Sequence, residues 1–478
     1  MKSGIDAISF YIPNYYLPID TLAEARQIEP AKLKSGLGLH KMAIPLAGED
    51  AATMAAEALK NLFEDENLNP SEISRIYLGT ESALDNAKPT ISYAVEMLEN
   101  WGLEKWGPRA FKNCDVVDLT FACIGATDAL QNSIDYVSLH PNEKVIVVAS
   151  DLAKYDLNST GEYTQGAGAV ALLITQNPRI LSFKTQWGVG MQSVHDFFKP
   201  KRSISKSQLA KVFQSTLQEE NPPLLGIDET YIEFTKESPV FDGQFSNQCF
   251  SDRMKEAYAH FCEKNQKNEL CFEEWYGLIF HLPYAYHGKR IFVDLWADAL
   301  ARNGKKELLE SAAQSTMPQP NSPDFKDFVK KLAKSDVYAQ IHTQKLENAS
   351  LASSQIGNMY TASVFMALLS FLSMEAEKNT HAEGKEIGFI AYGSGSKSKV
   401  FSAQIEMEWK KQIQKCQLWS RLNERMALSM EQYLAIHKKE NNAMHKSEGF
   451  VLDHIETQKT DYLGARTYAW NKIPVMAS

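Results

Sequence analysis

Along residues 1–178, short apolar runs alternate with stretches whose apolar positions recur at helical spacing, so strands and amphipathic helices take turns. The runs 5–11, 75–79, 116–119, 145–149 and 169–174 predict strands, and 51–62 predicts a helix. After Pro178 the pattern partly returns: 275–281 and 387–392 read as buried strands and 359–374 as a long apolar helix. Polar, helix-favouring stretches at 251–274 and 294–336 suit solvent-facing helices, the second interrupted by a proline-rich break at 317–323. From 407 to 439 the chain predicts one long charged helix, followed by a strand near 450–455, an appendage to the core rather than a domain. Such alternation is the pattern of an α/β fold. No residue-level internal repeat is evident.

Length and charge narrow the field. A chain of 478 residues is too long for most single domains, which leaves two domains or one large pseudo-symmetric body. Fifty lysines and arginines against 59 aspartates and glutamates give a formal charge of −9, which disfavours nonspecific nucleic-acid binding. The start runs straight into a strand pattern without a signal-like segment, and no apolar stretch is long enough to span a bilayer, so no membrane association and a cytoplasmic location are expected. Six cysteines lack C-x-x-C spacing, which removes zinc-ribbon and dithiol readings, and no metal site is expected.

Cys123 stands where an apolar strand gives way to small residues and then to helical periodicity, in Thr120-Phe121-Ala122-Cys123-Ile124-Gly125-Ala126. A helix N-terminus favours thiolate over thiol, and small neighbours admit an acyl group, a nucleophile's setting. A buried packing cysteine fits this segment equally well. Glu81 ends the strand 75–79 extended by Thr80, where partial desolvation raises a carboxyl pKa and suits it to general acid–base work, although most strand-end glutamates are simply solvated. His281 closes a hydrophobic strand before Pro283, a place for a pocket or for an ordinary core histidine. Asn358 precedes the apolar helix and as a cap needs no function. The loop Tyr392-Gly393-Ser394-Gly395-Ser396 and the turn Thr164-Gln165-Gly166-Ala167-Gly168 would let backbone N–H groups face a ligand.

Taken in order, these segments resemble the 3-hydroxy-3-methylglutaryl-CoA synthase family of thiolase-fold condensing enzymes. The carriers are Gly79-Thr80-Glu81-Ser82, Ala122-Cys123, Ala149-Ser150-Asp151-Leu152-Ala153-Lys154-Tyr155, Thr164-Gln165-Gly166-Ala167-Gly168-Ala169, Asp196-Phe197-Phe198-Lys199-Pro200, Val240-Phe241-Asp242-Gly243, Phe280-His281-Leu282-Pro283-Tyr284, Gly357-Asn358-Met359-Tyr360-Thr361 and Tyr392-Gly393-Ser394-Gly395. The resemblance implies a layered αβαβα fold from two pseudo-symmetric halves, 1–178 with the glutamate and cysteine and 179–406 with the histidine and asparagine. It also implies a C-terminal helical extension, 407–478, packed on that core, and a homodimer. It implies that Cys123 takes acetyl from acetyl-CoA, Glu81 removes a methyl proton and His281 positions acetoacetyl-CoA, with no further cofactor. It places Tyr155, Thr164, Asn358 and Ser394 at the substrates, and a mevalonate route to isoprenoids follows.

Two departures stand out. Ile124 and Ala126 replace the family's aromatic residue and second glycine, and Tyr286 replaces a lysine read as a contact to the CoA phosphates; Lys289, Arg290, Lys199, Lys201 or Arg202 would have to supply that charge. The missing lysine keeps open a branch of the family that adds acetyl to a ketone held on an acyl carrier protein, giving a methyl branch in a polyketide. A chain-initiating ketoacyl synthase shares Cys, His and Asn but has no use for Glu81. A degenerate scaffold would be expected to have lost at least one of the three.

Overall fold

The computed structural model describes residues 2–205, 231–319 and 322–471. Its centre is a ten-stranded sheet in the order Gly277–Phe280, Glu386–Gly393, Lys397–Ile405, Leu181–Phe183, Ser3–Tyr11, Gly166–Gln176, Lys144–Ala153, Ile73–Gly79 and Asp115–Leu119, with Gly188–Met191 pairing to Lys397–Ile405. The sheet carries two similar sets. In the N-terminal set Ile73–Gly79 runs parallel to Lys144–Ala153, which pairs antiparallel with Gly166–Gln176 and that strand with Ser3–Tyr11. In the C-terminal set Gly277–Phe280 is parallel to Glu386–Gly393, which pairs antiparallel with Lys397–Ile405 and that strand with Leu181–Phe183. The sets join where Gly4 and Ile5 pair with Ser182 and Leu181.

Burial on both faces explains why the N-terminal strands read as unbroken apolar runs. Val145, Val147 and Ala149 face a core shared with helix Gly125–Leu139, whereas Ile146 and Val148 face one shared with helix Ala51–Asp65. Asp50 caps the latter helix, accepting from the N–H groups of Ala52 and Thr53.

The tail differs from the expected single helix. It forms Trp409–Lys415, Leu418–Asn423 and Met430–Lys438, because Gln417 adopts φ 50° and Ser429 caps a new start with Gln432. Between them Met426–Ala427 pairs in parallel with Tyr15–Tyr16. The tail packs on the core: Tyr433 is buried against residues near the chain's start, and Lys446 Nζ sits 2.8 Å from Glu57 and 3.5 Å from Glu49, which also accepts from Tyr11 Oη at 2.6 Å. The strand expected at 450–455 is Gly449–Ile455, paired with Arg466–Asn471. Upstream, the polar stretch 294–336 is divided among the separate helices His287–Arg302, Lys306–Ala313 and Pro323–Leu332 and reaches the start of Asp336–Lys345, and the apolar helix starts at Ser363 after a tight turn, Tyr360–Ala362. Part of the proline-rich break, 320–321, lies outside the described residues. No helix among those described is long and apolar enough to cross a membrane.

Candidate active site

Strand Asp115–Leu119 leads into a turn whose Ala122 takes φ 38°, and helix Gly125–Leu139 follows at once. A left-handed alanine is strained by about 1–3 kcal/mol, which the surrounding packing over-determines. The turn is wedged from two sides. A Cβ on Gly79 would lie 2.1 Å from Ala126 N, and one on Gly393 would lie 2.6 Å from the Phe121 carbonyl oxygen. The strand carrying Glu81 and the loop carrying Ser394 therefore both press on the turn that carries Cys123.

Cys123 is 8 % exposed, and its Sγ donates to Glu81 Oε1 at 2.9 Å. Burial pushes the thiol well above its ordinary value, and the adjacent carboxylate pushes it further. This corrects the expectation of a resting thiolate: the partial charge of one helix terminus is outweighed by desolvation and a neighbouring anion. For Glu81, burial raises the carboxyl to about 7; the Lys199 ammonium opposes the rise and Asp151 adds to it. Lys199, expected among the surface cations, is instead drawn inward, 16 % exposed, with Nζ 3.7 Å from Glu81 Oε2 and donating to the Glu81 carbonyl at 3.3 Å.

Asp151 organises this corner. It is fully buried and accepts from Thr80 Oγ1 (2.9 Å), Glu81 N (2.9 Å), Ser82 Oγ (2.9 Å), Thr361 N (3.1 Å) and Thr361 Oγ1 (2.5 Å). Cys123, Ala153, Tyr155 and Tyr360 pack into one buried cluster with Phe197 and Phe241 against it. Asn358 accepts from Tyr360 N at 2.8 Å, and its own N–H donates to Thr164 O. The Thr164 hydroxyl turns away to Gly161 O at 2.8 Å.

His281 is buried, and burial lowers its pKa to about 3, so the ring is neutral. Its Nδ1 lies 2.5 Å from Ser363 Oγ, which also accepts from Leu282 N at 3.2 Å. One segment thus strings the site together: Tyr360 packs on Cys123, Thr361 reaches Asp151 and Ser363 reaches His281. The Ser394 loop is fixed by Asp196, which accepts from Tyr392 Oη and Gly395 N, both at 2.7 Å.

The other predicted cations lie elsewhere. Lys289 Nζ sits 5.5 Å over the Tyr286 ring beside His342, Arg290 donates to Gly36 O, and Lys201 and Arg202 are exposed on strand Lys201–Ser205. The structure does not join Lys289 to the thiol. Sequence reasoning gave no role to Asp151, Asp196, Tyr360, Thr361 or Ser363, although all but Ser363 stand inside the ordered motifs.

Comparison with known proteins settles the family. Residues 1–179 match the hydroxymethylglutaryl-coenzyme A synthase N-terminal model and 230–474 the C-terminal model. The chain belongs to this family. Among its members, hydroxymethylglutaryl-CoA synthase of Enterococcus faecalis is 30% identical over 436 residues, 91% of each chain. The human cytoplasmic hydroxymethylglutaryl-CoA synthase is 25% identical over 486 residues, covering 97% of this chain and 84% of its own. The solved structure of MvaS in complex with 3-hydroxy-3-methylglutaryl coenzyme A superposes with a TM-score of 0.76 at 26% identity, covering 98% of this chain and 99% of the other. The curacin-pathway HMG synthase, with a TM-score of 0.72 at 22% identity and 98% and 100% coverage, shares the fold. The layered thiolase-like α/β architecture with a C-terminal helical region is that of these hydroxymethylglutaryl-CoA synthases.

Proposed function

We propose that this family member is a hydroxymethylglutaryl-CoA synthase: it acetylates Cys123 from acetyl-CoA, condenses the acetyl group with acetoacetyl-CoA and hydrolyses the adduct to 3-hydroxy-3-methylglutaryl-CoA and CoA. The reading rests on the 2.9 Å contact between Cys123 Sγ and Glu81 Oε1, a nucleophile and a base buried together. As Sγ attacks the donor thioester its proton passes to Oε1, and the departing CoA sulfur takes a proton in turn. Once Glu81 is ionised again it removes a proton from the acetyl methyl, the C–H electron pair remaining as the enolate, which closes a new carbon–carbon bond on the acceptor ketone. A value near 7 lets one carboxyl work in both directions.

Assigning Ser363 as the donor to Nδ1 puts the ring proton of neutral His281 on Nε2, the donor the ketone oxygen needs as it becomes an alkoxide. Backbone N–H groups of Cys123 and Ser394 receive the acyl oxygen, and Tyr155 and Asn358 bound the pocket beside it. The same reading divides the chain into 1–178, 179–406 and 407–478, supported by the two sets of strands. It includes a homodimer, supported by the open edge strand Asp115–Leu119 with Val117 40% exposed, and the cytoplasmic address carried in the human relative's name.

The test is mass spectrometry of the protein after acetyl-CoA, then of products after acetoacetyl-CoA or an acetoacetyl-carrier protein. Acetyl on Cys123 followed by 3-hydroxy-3-methylglutaryl-CoA is the expected result. Condensation with the carrier-bound acceptor alone would hand the assignment to the methyl-branching reaction, and no acetylation would refute both.

A further inference from the structure

Lys199 holds an unusual place for a lysine. It leaves the short strand Phe197–Phe198, crosses the Tyr360 ring with Nζ 4.8 Å from its centroid, and ends at Glu81. There it makes two contacts of different kinds: a hydrogen bond to the Glu81 carbonyl at 3.3 Å, which fixes the backbone, and an approach of 3.7 Å to Oε2, which leaves Oε1 for Cys123. We propose that Lys199 is a positioning residue for Glu81, holding Oε1 on the reacting thiol and keeping the carboxyl ready to accept a proton inside a pocket that would otherwise leave it protonated.

The inference rests on the functional reading above. Every charged or titratable group facing Glu81 enters the balance. Asp151, from strand Lys144–Ala153, opposes ionisation; the Cys123 thiol, from the nucleophile turn, favours it by hydrogen bonding. Tyr155 and Tyr360 also feel the carboxyl, and burial holds both hydroxyls protonated. Lys199 is the cation in this set. An opposite charge at such range lowers a carboxyl pKa by about 1–3, and its loss by only ~1 would cut the ionised fraction at pH about 7 roughly fivefold.

The experiment compares wild type with Lys199→Met and Lys199→Arg, with Glu81→Gln as the spectral reference. Difference infrared spectroscopy follows the Glu81 carboxylic-acid band against pH in each protein, and the condensation rate of pre-acetylated protein is measured over the same range. The acid band in Lys199→Met is expected to persist about one pH unit or more higher. Condensation near neutrality should fall about fivefold and recover as pH rises, while Lys199→Arg lies between Lys199→Met and wild type. An unmoved Glu81 titration in Lys199→Met overturns the proposal. The titration needs no substrate, so it judges Lys199 even if wild type fails to acetylate, a result that would instead strike the functional reading.

Discussion

Replacing Glu81 by glutamine should make the protein more stable as it makes it inactive, and the gain should depend on pH. The carboxyl moves from 4.5 in the unfolded chain to about 7 in the folded one. The folded protein therefore binds more protons than the unfolded between those values. The protonated group's contribution is fully present below 4.5 and is lost as pH rises through about 7. A rise of about 2.5 in pKa at 1.36 kcal/mol each makes the ionised carboxylate cost ~3 kcal/mol, of which ~2.5 kcal/mol accrues between pH about 5 and about 8.5. Glutamine cannot ionise. Any constant effect of the substitution, such as leaving Lys199 without its anion, cancels when two pH values are compared. Urea unfolding of both proteins at each pH, with slopes checked for equality, gives the difference. The stability gap should move in favour of Glu81→Gln by ~2 kcal/mol or more on going to the higher pH. A gap that stays constant, or moves the other way, would refute the reading of Glu81 as a carboxyl destabilised in place for its chemistry.

Outcomes are expected for five further variants. Cys123→Ala should abolish acetylation as read by protein mass, whereas Glu81→Ala should still acetylate slowly and fail at condensation; near-normal condensation by Glu81→Ala would remove its assigned role. Ser363→Ala should orphan Nδ1 of His281 and slow condensation about tenfold with unchanged acetylation, since one buried hydrogen bond is worth ~1–3 kcal/mol; an equal loss in both steps would place His281 elsewhere. Asp151→Asn turns one carboxylate oxygen into an NH2, opposing either Thr80, Ser82 and the Glu81 backbone, which donate to Oδ1, or Thr361, which donates to Oδ2, and should cost ~3 kcal/mol in urea unfolding. Tyr433→Phe removes the hydroxyl that donates to Glu162 at 3.0 Å and accepts from Gln165 Nε2 at 2.7 Å, and should lower stability by ~1 kcal/mol with the acetylation rate retained.

The strands at 75–79, 145–149 and 169–174 were legible because burial on both faces writes an unbroken apolar run that needs no partner to be recognised. Other strands carry no such mark: Lys201–Ser205 lies exposed and has no apolar face, and Leu181–Phe183 and Gly188–Met191 are too short to show a period. The break at Gln417 involves neither glycine nor proline, and Met426–Ala427 is a strand only because Tyr15–Tyr16 lies beside it, so the tail read as one helix. At the site, Cys123 and Glu81 were visible through their order among motifs. Lys199 stood out only as a candidate phosphate contact and its pairing with Glu81 was not visible, since a lysine reads as a solvated charge until its carboxylate partner, 118 residues earlier, is brought to it. Ser363 lay hidden for the same reason: its bond to His281 spans 82 residues and has no local signature.

Lys446 gives the order of synthesis a structural meaning. Glu49 and Glu57 are synthesised before the cation that neutralises them, Lys446 following Glu57 by 389 residues. Until it arrives, the native packing of the first segment would bury two carboxylates without an ammonium, a state costing several kcal/mol. A product cut short before Lys446 lacks the charge that seals these two carboxylates into their native packing.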